Sequence, residues 1–89
     1  MGQLFFTEML ELYQFETCPF CRRVRDKLSD LEIDYICRNV QYGTAKWEAF
    51  KKLNPNEQVP FLIDRDKGVT MDESERIIAY LEKEYAGHS

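Results

Sequence analysis

The sequence predicts an α/β domain: a four-stranded mixed sheet flanked by three helices, in the order βαβ, then α, then ββα. Three observations predict it. Between residues 9 and 40 a strand-like run, a helical run and a second strand-like run follow one another, and a strand–helix–strand unit of this kind closes as a right-handed parallel pair. Residues 45–53 carry Trp47, Phe50 and Leu53 at helical spacing. Residues 59–85 read as strand, turn, short strand and helix.

Each element has its own signal. Residues 1–8 carry little, although Leu4, Phe5 and Phe6 can pack on the core edge or lie in a mobile arm. Met9 to Phe15 alternates only weakly and has Leu, Tyr and Phe on both faces, which suits a central strand covered on two sides. From Thr17 to Glu32, Phe20, Val24, Leu28 and Leu31 fall on one helical stripe, with Arg22, Arg23, Arg25 and Lys27 elsewhere. Residues 35–40 form the second strand, and Cys37 in it reads as a buried bystander thiol. Thr44 caps the short second helix, whose Trp47 is a packing residue. Asn54-Pro55-Asn56 ends it. Val59 to Asp64 is a strand that opens with proline, where the missing N–H is tolerated. Arg65 to Gly68 is turn chemistry, and Val69-Thr70-Met71 returns. Asp72 or Ser74 caps the last helix, whose stripe is Ile77, Ile78, Leu81 and Tyr85. Residues 86–89 are expected to fray.

Composition narrows the function. Eighty-nine residues make one small domain, here residues 1–89. The net charge of −4 offers no basic patch for nucleic acid. No apolar run approaches the roughly 18 residues of a membrane span, and the start lacks the basic residues of a secretory signal. A cytoplasmic, monomeric protein is expected. Three cysteines make a poor disulfide scaffold. A zinc site wants a second cysteine pair or a Cys/His pair, and Cys37 and His88 are far apart, so no metal is expected.

The chemistry centres on Thr17-Cys18-Pro19-Phe20-Cys21, between strand and helix. A Cys-x-x-Cys at such a junction is a redox site. Thiol–disulfide exchange requires a thiolate, and unpaired N–H groups at a helix start stabilise that charge. Such placement can bring a cysteine pKa from about 8.5 to roughly 3.5–7.5. Cys18 is at the cap position and is the expected nucleophile. Pro19 suits the first helical turn. Cys21, one turn on, is the expected resolving thiol. Taken separately, Val59-Pro60 reads as a strand start, Asp72-Glu73-Ser74 as a helix cap, and Tyr13 and Phe20 as packing residues, with Phe20 also a candidate for a substrate groove.

Together these motifs make the chain resemble the thioredoxin superfamily. Cys18-Pro19-Phe20-Cys21 is similar to the Cys-Pro-aromatic-Cys of dithiol glutaredoxins, with Thr17 where thioredoxins carry tryptophan. Gln58-Val59-Pro60 resembles their Val-Pro, with proline cis. Asn54-Pro55 and Asp72-Glu73-Ser74 resemble the N-terminal domain of glutathione transferases more closely. Two departures stand out: Phe15 holds the place of a common lysine, and Val69-Thr70-Met71 replaces a common Gly-Gly. Lys46 is the candidate to supply part of the missing charge. Transferases also carry a helical C-terminal domain, so conjugation of bulky electrophiles is not expected from these 89 residues alone.

The resemblance implies a thioredoxin-like fold and a glutathione-dependent disulfide oxidoreductase. Glutathione would be the co-substrate, and disulfide-bearing or glutathionylated proteins the partners. Val59 would pair with the glutathione cysteinyl backbone, cis Pro60 would hold that backbone open, Ser74 would take the γ-glutamyl carboxylate, and Glu73 its amino group. Glutaredoxin potentials of about −200 to −230 mV balance such a site against the glutathione pool. Two alternatives stand: a non-catalytic module that holds glutathione or a partner, and a glutathione-ligated iron–sulfur carrier. Pro19 disfavours the carrier by resemblance.

Overall fold

A computed structural model describes residues 10–86, and the expectations for residues 1–8 and for fraying beyond residue 86 lie outside them. Seven elements follow one another: β1 (Leu10–Gln14), α1 (Pro19–Asp30), β2 (Ile36–Asn39), α2 (Ala45–Leu53), β3 (Phe61–Asp64), β4 (Val69–Asp72) and α3 (Ser74–Tyr85). The sheet order is β2-β1-β3-β4. β1 runs parallel to β2, with Leu12 opposite Cys37, and antiparallel to β3, with Leu12 opposite Leu62. β3 and β4 form an antiparallel hairpin with Asp64 opposite Val69. Gly68 closes its turn at φ 69°, in the left-handed region where glycine pays no Cβ penalty. The predicted thioredoxin-like architecture is the one observed.

Side chains alternate across the sheet, and each face has its own core. Leu10, Leu12 and Leu62 meet Val24 and Leu28 of α1 and Ile77 and Leu81 of α3. Phe61 and Ile63 meet Val40 and, from α2, Trp47 and Phe50, with Tyr13 packed against them. Tyr13 stacks on Phe50 at 5.4 Å. Both faces of β1 are thus covered, as its weak alternation implies. Across the outer surface of α1 and α3, Arg23 pairs with Glu75, and Lys27 with Glu82 at 2.8 Å.

Four predicted positions differ. Cys37 is exposed, because β2 is the outer strand and carries this side chain outward with Asn39. Phe20 leaves the α1 stripe at 58 % exposure, and Cys21 takes its place inside. Leu53 leaves the α2 stripe at 45 % exposure, because it is the last residue of that helix. Pro60 precedes β3 rather than opening it.

Polar groups inside the fold are paired. Buried Gln14 donates from Nε2 to Asn39 Oδ1 at 2.7 Å and to Cys37 Sγ at 3.2 Å, while its Oε1 accepts from Arg25. Asp64 accepts from Tyr80 at 2.6 Å and Tyr85 at 2.7 Å, tying α3 to β3. Glu11, on central β1, is buried and pairs with Arg38 at 3.1 Å and with Arg65. Burial pushes the Glu11 carboxyl up, but the hydrogen bonds and charges of Arg65 and Arg38 outweigh it, and the net shift is downward. A depressed carboxyl stabilises the fold fully above its ordinary value of 4.5 and loses that contribution as pH falls through its folded value. Glu11→Gln should therefore cost about 1–3 kcal/mol at neutral pH, the lower range applying because both arginines can turn to water. Urea unfolding at neutral pH and below pH 4 checks this: the gap between wild type and variant should close in acid.

Candidate functional site

The first turn of α1 is built by its cysteine. Cys18 has extended backbone (φ −77°, ψ 117°) and is the N-cap, and its Sγ accepts the Cys21 N–H at 3.3 Å. A sulfur in this place satisfies one of the donors that a helix start leaves open. Pro19 follows as the first helical residue, where no N–H is needed. Upstream, the Cys18 N–H donates to the Phe15 carbonyl at 3.2 Å, so the chain turns sharply out of β1. Cys18 is 6 % exposed and Cys21 is fully enclosed. Both are free thiols. Thr17 and Pro19 face solvent beside them.

Burial pushes the Cys21 thiol from 9.0 up to about 12, and its hydrogen bond to Cys18 adds to the shift. A raised thiol pKa means that the folded chain keeps a proton that the unfolded chain releases. Stability from this source is complete below pH 9 and is lost as pH rises toward 12. Tyr80 and Tyr85 shift in the same direction, through burial and the Asp64 carboxylate. In reducing, anaerobic buffer, the urea midpoint of the wild type should fall above about pH 9, and Cys21→Ala should fall less steeply.

A groove of about 400 Å³ opens beside this turn. Phe20 lines one part, Val59 and Pro60 a second, and Glu73 and Ser74 a third. The Val59–Pro60 bond is cis. Five of the predicted site residues therefore share one cleft, next to the enclosed thiol pair. Cys18 itself is not among the lining residues. Lys46 does not join them: it stands on α2 and lines a separate hollow with Tyr13 and Arg38.

The start of α3 corrects another expectation. Its N-cap is Glu73, in a left-handed conformation (φ 73°) with no side-chain cap bond. Neither Asp72 nor Ser74 caps the helix. Ser74 is its first residue, and Asp72 is buried and committed elsewhere: its Oδ2 accepts from Asn54 Nδ2 at 3.2 Å and Asn56 Nδ2 at 3.1 Å. Asn54 Nδ2 also reaches the Gln58 carbonyl at 3.1 Å. These bonds clamp the loop that carries Val59 and Pro60 to the end of β4.

Other groove residues escape a sequence reading. Tyr42, Glu57 and Glu75 line the cleft. Tyr42 is 64 % exposed and leans on Phe15 at 5.2 Å and Trp47 at 4.3 Å. Its only signal is an aromatic residue directly before the Gly43 turn. Among the described residues, no group of three or more His, Cys, Asp or Glu side chains is placed to hold a metal, and no helix is long and apolar enough to cross a membrane.

A sequence profile described as "Glutathione S-transferase, N-terminal domain" matches residues 12–89. The chain belongs to this family. Among relatives of this transferase-type domain, glutathione S-transferase Z2 of Arabidopsis thaliana is 35 % identical over 83 residues, covering 91 % of this chain and 36 % of the plant protein. A solved structure of a glutathione transferase homologue from Drosophila mojavensis, with bound glutathione, superposes with a TM-score of 0.79 at 30 % identity, covering 89 % of this chain and 36 % of the insect chain. A glutaredoxin-like 8.6 kDa protein of Clostridium pasteurianum is 28 % identical over 54 residues, or 61 % of this chain and 72 % of its own. The chain thus spans about a third of the length of the transferases it matches. These matches show the coarser part of the resemblance, the N-terminal domain of glutathione transferases. The transferase-like marks, Asn54-Pro55 and Asp72-Glu73-Ser74, form one bonded unit in the structure.

Proposed function

We propose that this domain binds glutathione in the groove and exchanges disulfides with it through Cys18. The observation that carries the reading is a capping sulfur with a second thiol fixed one turn behind it, at the edge of a cleft made by Val59, cis Pro60, Glu73 and Ser74. Relatives in the same family act on or hold glutathione by name, and a glutaredoxin-like relative supports the redox part.

In this reading the tripeptide lies extended along Val59, whose N–H and C=O pair with its cysteinyl unit as one more strand would. Its γ-glutamyl carboxylate sits at the N-terminus of α3 with Ser74, because helix starts attract anions. Its amino group meets Glu73. The Cys18 thiolate attacks the glutathione sulfur of a glutathionylated protein. The old S–S bond breaks, the protein thiolate leaves and takes up a proton, and Cys18 carries the glutathione. The thiolate of a second glutathione attacks that sulfur, giving oxidised glutathione and free Cys18. For a protein disulfide, the Cys18 thiolate attacks one sulfur, the protein S–S bond breaks, and the first protein thiolate leaves and takes up a proton. Cys21 then attacks the Cys18 sulfur, passing its proton to the second protein thiolate as that leaves, and the resulting Cys18–Cys21 bond is reduced by two glutathione molecules, which become oxidised glutathione.

The family suggests a second reading, thiol transfer to an electrophilic carbon. One comparison separates the two: steady-state turnover of a glutathione mixed disulfide, and of an aryl halide, each with glutathione. Turnover of the disulfide alone supports the proposal. Turnover of the halide alone replaces it. Binding of glutathione with neither reaction leaves a holding module.

A further inference from the structure

We propose that the hollow between α2 and the neighbouring face of β1 and β2 is a second binding site, for a compact aromatic carboxylate. It shares no lining residue with the groove beside the thiols. Its space is about 230 Å³. Drug-sized ligands fill about 300–1,000 Å³, so this hollow suits a molecule of one ring.

The lining is apolar below and cationic at the rim. Val40, Phe50 and Leu53 supply the apolar part, with Tyr13 beside them. Leu53 is among the few large apolar side chains left open on the described surface. Lys46 and Arg38 supply the charge. Among the described residues no carboxylate pairs with Lys46, and Glu11 engages Arg38 only at Nε. The Tyr13 hydroxyl makes no hydrogen bond there either. Glu11 is the one carboxylate of this network, and it is shared with Arg65. Two arginines thus share one buried anion and Lys46 has no carboxylate partner among the described residues, within a chain whose net charge is −4. An apolar pocket with a few convergent polar groups is the usual form of a small-molecule site. Here the free groups are donors, and the ligand they complement carries an oxyanion on a flat apolar body. The ring would lie against Tyr13 and Leu53, and the carboxylate between Lys46 Nζ and the terminal nitrogens of Arg38.

Titration of the reduced 89-residue chain with benzoate, followed by NMR amide shifts, tests this. Benzamide serves as the uncharged ring and acetate as the charge without a ring. Benzoate should shift the amides of Arg38, Val40, Lys46, Ala49 and Leu53 saturably, with Kd on the order of 1 mM for so small a ligand. Benzamide and acetate should be much weaker. Lys46→Gln should weaken benzoate about fivefold, the loss expected for one exposed ion pair, and Lys46→Arg should retain it. Four results would overturn the proposal: no saturable shift up to about 20 mM, well above the expected Kd; equal shifts with benzamide; shifts centred on Phe20 and Tyr42; or unchanged affinity in Lys46→Gln. Spectra of the free variants confirm that each is folded.

Discussion

Cys18→Ser should reduce turnover of a glutathione mixed disulfide by at least about a thousandfold, because no other group can take its place as the attacking atom. Cys21 is enclosed and its thiol holds its proton up to about pH 12. Cys37 is exposed, but it lies on the far edge strand, hydrogen-bonded by Gln14 and away from the groove lining. Cys21→Ser should behave differently. It should keep most activity on glutathione mixed disulfides, where one sulfur suffices, and lose the reduction of protein disulfides, where a second thiol must close the ring. A coupled assay of oxidised glutathione formation, run on both variants with a small mixed disulfide and with a protein disulfide, checks the pattern. Activity that survives in Cys18→Ser would remove the proposed nucleophile. Equal loss in both variants would remove the one-thiol route.

Asp72→Ala should lower stability by about 2–3 kcal/mol and weaken glutathione binding at the same time. The carboxylate is buried and accepts two side-chain amides, Asn54 and Asn56. Its loss leaves the enclosed Asn54 donor with the Gln58 carbonyl alone, and a buried polar group that loses a partner costs about 1–3 kcal/mol. The same bonds hold the loop ahead of Val59 and Pro60, so the backbone edge proposed to pair with the tripeptide loosens. Affinity should fall about tenfold, since misplacing an ordered edge adds its ordering cost to binding. Urea denaturation and calorimetric titration with glutathione measure the two effects. A stability loss with unchanged affinity would confine Asp72 to the fold.

The sheet and its helices were legible because each segment carries its own periodicity. α1 and α3 each place apolar residues on one stripe, β1 is apolar on both faces, and Gly68 marks the hairpin. The capping cysteine and the Val-Pro pair were legible as short motifs whose chemistry is local. What stayed hidden depends on partners distant in sequence. Asp72 reads locally as a helix cap; only the fold brings Asn54, 18 residues away, against it. Cys37 follows Tyr35 and Ile36 as a buried strand residue would, and Arg38 and Asn39 after it are the one local sign of the sheet edge. Phe20 obeys the helical stripe, but it belongs to the first turn, where the helix start meets the groove rather than the core. Lys46 suits an anion, and its position on α2 sends it to the opposite hollow. Tyr42 depends on a loop whose path no periodicity encodes.

Glu73 keeps a backbone angle that glycine adopts more cheaply, by about 1–3 kcal/mol. Glycine at this position would relax the bend while erasing the acid, whereas glutamine would erase only the acid. Comparing the two substitutions therefore divides what the peptide path contributes to ligand capture from what the charge contributes.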